Sequence, residues 1–169
     1  KTEELVRGLE GDLDRYDLVA ACSRVVAHID ALNNWYIRRS RPRFWKTGHD
    51  ADKQDAYDTL YTALVVLCRA ISPLMPLISE EIHRGLTGEE SVHLCDWPSA
   101  EALPADAALV RAMDRAREVC SAALALRRTH DLRVRQPLRK LIVAGAEVES
   151  LRPFAELIAD EVNVKSVEL

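Results

Sequence analysis

Aromatic side chains are scarce here, 5% of 169 residues, so the core cannot be built from stacked rings. Alanine, leucine and valine must fill it instead, which favours helices packed on helices. The four cysteines, Cys22, Cys68, Cys95 and Cys120, lie far apart, and none has a second cysteine or a histidine at metal-ligand spacing. His28, His49, His83, His93 and His130 are equally scattered. Neither a zinc site nor a disulfide is expected; three of the thiols fall in apolar helical patterns, where a buried reduced cysteine is ordinary. The longest wholly apolar run, Ala63 to Cys68, is far too short to span a bilayer. With no signal-peptide pattern at the start, no membrane partner is expected and the compartment reads as cytoplasmic. Positive charge is not in excess either. A net charge of −4 excludes a generic polyanion binder, so any nucleic-acid site must be a local basic patch on an acidic body. A Gly-rich phosphate loop, a paired nucleophile and base, and a metal constellation are all missing, so no catalytic, cofactor-binding or metal residue is assigned.

What is present is mostly helical periodicity. Hydrophobic residues make up 48% of the chain, enough to bury one proper core. Leu5, Leu9 and Leu13 recur at a spacing of four, and the opening residues read as the middle of a helix cut from a longer protein. Asp14 to Asp17 makes a turn, with Asp17 as N-cap of a second helix from Leu18 toward Ser40. Its apolar stripe runs through Cys22, Val25, Val26, Ile29, Leu32, Tyr36 and Ile37. A third helix opens at Asp50 or Asp52 and carries Tyr57, Leu60, Tyr61, Leu64, Leu67, Cys68 and Ile71 inward. Ser72-Pro73 ends it, and Pro76 starts a fourth through Ile78, Ile82 and Leu86. Residues 87–106 form a surface connection in which Trp97, before Pro98, plugs the loop onto the bundle. A last long helix, 107–128, turns Leu109, Met113, Ala116, Val119, Cys120, Ala123 and Leu124 inward. Then come short strands at 141–143 and 162–167 around a helix broken by Pro153. The fold class is mainly α, with a helical bundle over 1–130 and a small α/β extension, not necessarily complete, over 131–169.

One stretch stands apart. Between Asn33 and Trp45 lie four arginines, four aromatic residues and a proline, with no carboxylate among them. Guanidinium forks match phosphate oxygens and aromatic faces accept unstacked bases, a combination suited to single-stranded or loop RNA. At 100° per residue Trp35, Arg38, Arg39 and Pro42 fall opposite the apolar stripe, where either another helix or a partner must cover the indole. Arg127, Arg128, Arg133, Arg135, Arg139 and Lys140 form a second basic cluster with only Asp131 in it.

The run Asn34-Trp-Tyr-Ile-Arg-Arg-Ser-Arg-Pro-Arg-Phe-Trp45 closely resembles the helix signature of the anticodon-binding domain of isoleucyl-tRNA synthetases, a class Ia aminoacyl-tRNA synthetase family. Looser similarity appears at Pro73-Leu-Met-Pro76 with Glu80-Glu81, at Ser91-Val-His-Leu94 with Asp96-Trp-Pro98, at Arg133-Val-Arg-Gln-Pro-Leu138, and at Glu161-Val-Asn-Val-Lys165. Val162 replaces the customary leucine in the last of these. The resemblance implies a helical anticodon-binding bundle whose partners are the anticodon stem-loop of an isoleucine tRNA and the catalytic domain of the same, monomeric enzyme. In that reading Arg38, Arg39, Arg41 and Arg43 hold phosphates, Trp35 and Trp45 offer faces to bases, and Asn34 reads a base edge or caps backbone. Arg133, Arg135 and Gln136 form a second contact. The intact enzyme would join isoleucine to tRNA with ATP and magnesium. This segment has no cofactor of its own, because the His-x-Gly-His and Lys-Met-Ser-Lys-Ser types of signature do not occur in it. Two alternatives remain open from sequence: the equivalent valyl domain, and a helical protein-interaction module docking through Trp35 and its arginines.

Overall fold

The structure, a computed structural model, describes residues 1–169 and is mainly helical. It divides into two compact units, Lys1–Ala105 and Asp106–Leu169.

The first unit is a helical bundle. Helices α1 (Thr2–Asp14) and α2 (Leu18–Asp30) form a hairpin whose turn places Tyr16 at φ 57°. Asp17 caps α2 by accepting the Ala20 N–H at 2.9 Å. The same helix continues without a break through a π-helical stretch, Ala31–Ile37, into α3 (Arg38–Trp45). Asp50 accepts the Lys53 N–H at 2.8 Å and starts α4 (Ala51–Ile71). Helix α5 (Pro76–Thr87) begins on its proline and ends at Gly88, whose φ of +72° suits a residue without Cβ. Leu5, Leu9, Ala21, Val25, Leu67, Ala70 and Ile71 make the core, with Leu13, Leu32, Leu74 and Trp97 packed against it. Trp97 thus pins its loop as expected. Complete burial of Leu5 and Leu9 contributes about 1.5–3 kcal/mol each.

Charge also ties α1 to α2. Asp12, 2% exposed, accepts from Arg24 Nε and Arg15 Nη2, both at 2.8 Å. The Arg24 hydrogen bond holds its carboxyl below the usual carboxylate range. Arg24 reaches it across Gly8, where a Cβ would lie 2.3 Å from the guanidinium carbon. Gly8 is therefore the channel for this ion pair rather than a weak point of the helix.

Three expected faces are rotated. On α2 the buried positions are Ala21, Val25 and His28, while Leu18, Cys22, Val26 and Ile29 are exposed. Small Ala21 lets α1 approach closely, so the helix turns its larger aliphatics outward. On α5 the interior takes Ser79 and His83 instead of Ile78 and Ile82. Ser79 makes this possible by donating to the Met75 carbonyl at 2.8 Å, which satisfies its hydroxyl inside its own helix. On α4 Leu67, Cys68 and Ile71 are buried as expected, but Tyr57 and Tyr61 are each 46% exposed. The closest packing falls instead on Ala56, Ala63 and Ala70, every seventh residue.

In the second unit α6 (Ala107–Thr129) is capped by Asp106, which accepts the Leu109 N–H at 2.9 Å. It buries Ala116, Cys120 and Ala123 against Leu151, Ile158 and Val162, while Leu109, expected inside, is half exposed. A 3-10 run, Val148–Phe154, precedes α7 (Ala155–Val162), the interruption anticipated at Pro153. Strands β1 (Leu141–Ile142) and β2 (Val167–Glu168) pair in parallel, extended by a bridge between Leu138 and Val164. Helix α6 packs on α7 and on the 3-10 run.

Candidate nucleic-acid interface

The stretch from Asn33 to Trp45 is positioned by two of its aromatics. Tyr36 donates its hydroxyl to the Ala56 carbonyl at 3.0 Å, and Phe44, 8% exposed, packs between Tyr36 and Tyr57 with ring centroids 6.5 and 5.1 Å away. These rings fasten the segment to α4. Trp45, next in sequence, is left 78% exposed.

The π-helical turn changes what the remaining side chains see. Hydrogen bonding from i to i+5, as from the Arg38 N–H to the Asn33 carbonyl, widens the helix and breaks the 100° phase used to assign faces. Trp35 consequently lies half-buried rather than fully outward. The Arg39 guanidinium sits over its ring, 5.4 Å from the centroid, a cation–π pair worth about 0.5–1 kcal/mol at a partly exposed site. Arg38 is exposed and donates Nε to the Asn34 carbonyl at 2.8 Å.

The stretch is also less free of carboxylates than its sequence suggests. Asn34 is exposed and donates its amide to Asp30 at 2.7 Å. Arg43 donates to the Asp52 carboxylate at 2.8 Å and to the Asp52 carbonyl at 3.0 Å. Lys46 bridges Asp50 and Asp52 at 2.7 and 2.8 Å, and its hydrogen bonds draw both carboxyls below their ordinary range. Arg41, exposed, carries no such ion pair. Of the four arginines expected to act alike, Arg43 is committed to α4 and Arg39 to the indole, while Arg38, bonded to the Asn34 carbonyl, and Arg41 are exposed.

The second cluster resolves around Arg127, which sequence reading treated as one more basic residue. Its side chain is 4% exposed and donates to the carbonyls of Arg133 (3.1 Å), Gln136 (3.0 Å) and Asn163 (2.9 Å). The planar guanidinium offers five donors in a fixed fork, more than enough for these three converging acceptors. Asn163, at φ 52° after α7, adds its own amide to the Val134 carbonyl at 2.8 Å. The loop holding Arg133, Arg135 and Gln136 is thereby fixed from beneath while all three residues stay exposed. Lys140 is paired with Glu168 at 2.9 Å. The sequence signal that could have singled out Arg127 is its place on the inner stripe of α6, at i+4 from Ala123.

A family model described as the anticodon-binding domain of tRNA ligase matches residues 1–142. The chain belongs to that family. The anticodon-binding domain described here is 52% identical over 162 residues to an isoleucine–tRNA ligase of Nocardia farcinica, a match covering 96% of this chain. It is 55% identical over 161 residues to that of Mycobacterium tuberculosis, covering 95% of this chain. With the ligase of Corynebacterium efficiens it shares 51% identity over 169 residues. The chain spans about 15% of the length of these relatives. A domain of this family implies a tRNA partner, and no helix is long and apolar enough to cross a membrane.

Proposed function

We propose that this chain is the anticodon-binding domain of an isoleucine–tRNA ligase, and that it holds the anticodon stem-loop through the segment from Asn34 to Trp45. What carries the reading is one arrangement: Arg38 and Arg41 exposed, the Trp35–Arg39 pair beside them, and Trp45, 78% exposed, on the same helix. Exposed guanidinium groups supply phosphate contacts, and the indoles supply stacking worth about 1–3 kcal/mol per base. Asn34 reads a base edge once its amide leaves Asp30. Arg43 positions the segment through Asp52 and contributes charge rather than a bidentate contact. In the second unit Arg133, Arg135 and Gln136 touch RNA from the loop that Arg127 holds.

The intact protein, in this reading, is a cytoplasmic monomer that joins isoleucine to its tRNA with ATP and magnesium at a catalytic domain elsewhere in the chain. The 51–55% identity to isoleucine–tRNA ligases favours that acceptor over the valyl one. The test is competition between the isoleucine anticodon stem-loop, a valine stem-loop and a scrambled loop of equal charge. Preference for the first supports the proposal. Equal binding of all three reduces the site to charge alone.

A further inference from the structure

We propose that His83, Glu89 and Cys95 form a binding site for a single divalent cation of the zinc class. Sequence spacing gave no hint of it; the fold supplies the proximity. His83 Nε2 lies 3.2 Å from Glu89 Oε2 and 3.8 Å from Cys95 Sγ, and that sulfur lies 3.5 Å from the same carboxylate oxygen. Bond lengths of about 2.0–2.3 Å to nitrogen, oxygen and sulfur place tetrahedral donors roughly 3.3–3.6 Å apart. The three donors thus already outline one face of a zinc tetrahedron, with the fourth position left for water. Imidazole, thiolate and carboxylate together select a borderline-soft ion over magnesium or calcium.

The ligands are held in place without the metal. His83 is fully buried on α5, so its ring cannot swing out to solvent. The loop bearing the other two is fastened to α5 by Glu80, which accepts the Ser91 hydroxyl at 3.1 Å and the Val92 N–H at 2.8 Å. Without an ion the charge is met by Arg69, whose Nη2 lies 3.1 Å from Glu89 and whose Nε lies 3.4 Å from His83 Nε2. The Arg69 side chain is 31% exposed and has a path to water. On binding, the cation takes the place of the guanidinium, the Cys95 thiol releases its proton to solvent, and thiolate and carboxylate neutralise the two positive charges. His83 Nδ1, buried and unpartnered, keeps the ring proton.

The experiment uses the full chain stripped of metal by chelator, with zinc as ligand and cobalt as its spectroscopic probe. One equivalent of zinc is expected, and cobalt should show a sulfur-to-metal charge-transfer band with tetrahedral ligand-field absorption. Cys95→Ser and Glu89→Gln should each weaken zinc binding at least tenfold, Arg69→Gln should tighten it, and Cys22→Ser, at the exposed thiol, should change nothing. Absence of stoichiometric binding, a cobalt complex with no thiolate band, or undiminished affinity in Cys95→Ser overturns the proposal. The cobalt spectrum of the unsubstituted chain decides even where a variant misfolds.

Discussion

Replacing Arg127 with alanine removes the donor shared by three backbone carbonyls, and the hydrogen bonds around them set the cost. The Arg133 carbonyl keeps a second donor in the Gln136 N–H at 3.0 Å, and that of Asn163 keeps the Leu138 N–H at 3.1 Å. The Gln136 carbonyl loses the donor that Arg127 gave it at 3.0 Å. One orphaned carbonyl costs about 1–3 kcal/mol, and two weakened charge-assisted bonds add about 0.5–1 kcal/mol each, for a total of about 2–5 kcal/mol. In a unit the size of Asp106–Leu169 that lowers the melting temperature by roughly 15–35 °C. Urea and thermal unfolding measure the loss, and hydrogen exchange at the Leu132, Leu138 and Lys165 amides should show where it falls. Arg127→Lys keeps the charge and loses the fork, so it should recover less than half of the stability. A stability change below about 0.5 kcal/mol in Arg127→Ala would refute the assignment, because water would then be serving those carbonyls as well as the guanidinium does.

Other consequences are equally direct. Arg41→Ala should weaken stem-loop binding and flatten its salt dependence by about 0.7 in log–log slope, one single-strand phosphate contact; an unchanged slope returns Arg41 to solvent. Trp45 fluorescence should quench on titration with the stem-loop in a Trp35→Phe, Trp97→Phe background, and constant emission would remove it from the interface. Gly8→Ala, which in an open helix gains about 1 kcal/mol, should instead lower the melting temperature because it displaces Arg24 from Asp12. Burial, aided less by the Lys1 side-chain ammonium, lowers the His28 pKa to about 4 from 6.5. The folded state therefore keeps the ring neutral where the unfolded chain binds a proton, so stability present above pH 6.5 is lost as pH falls toward 4, by about 3 kcal/mol at most. His28→Gln should flatten that dependence, and an NMR titration of the ring checks the value.

Much of the local architecture was legible because it is written in single residues. Asp17 and Asp50 each accept the amide three residues on, as caps do, and Pro76 opens its helix. Trp97 and Pro153 behaved likewise. Facing was harder, because periodicity shows that a stripe exists and not which neighbour it meets. On α2 and α5 the interior went to the residues that let a partner helix come close, Ala21 and Ser79, and the larger aliphatics were turned out. The charge of the arginine run was misjudged for a related reason: Asp52 lies seven residues beyond Trp45 in sequence, yet it is bonded to Arg43 in space. Arg127 was hidden because its acceptors are backbone carbonyls, which no side-chain inventory reveals.

The wide turn at Ala31–Ile37 makes length, rather than composition, the constrained quantity in this part of the chain. The extra residue is already taken up by the wide turn, so inserting one more position there would swing everything downstream by about 100°. Tyr36 and Phe44 could then not both reach α4, and Arg41 would point somewhere new with its own neighbours unaltered. Substitutions in the segment should accordingly be forgiven far more readily than a one-codon gain.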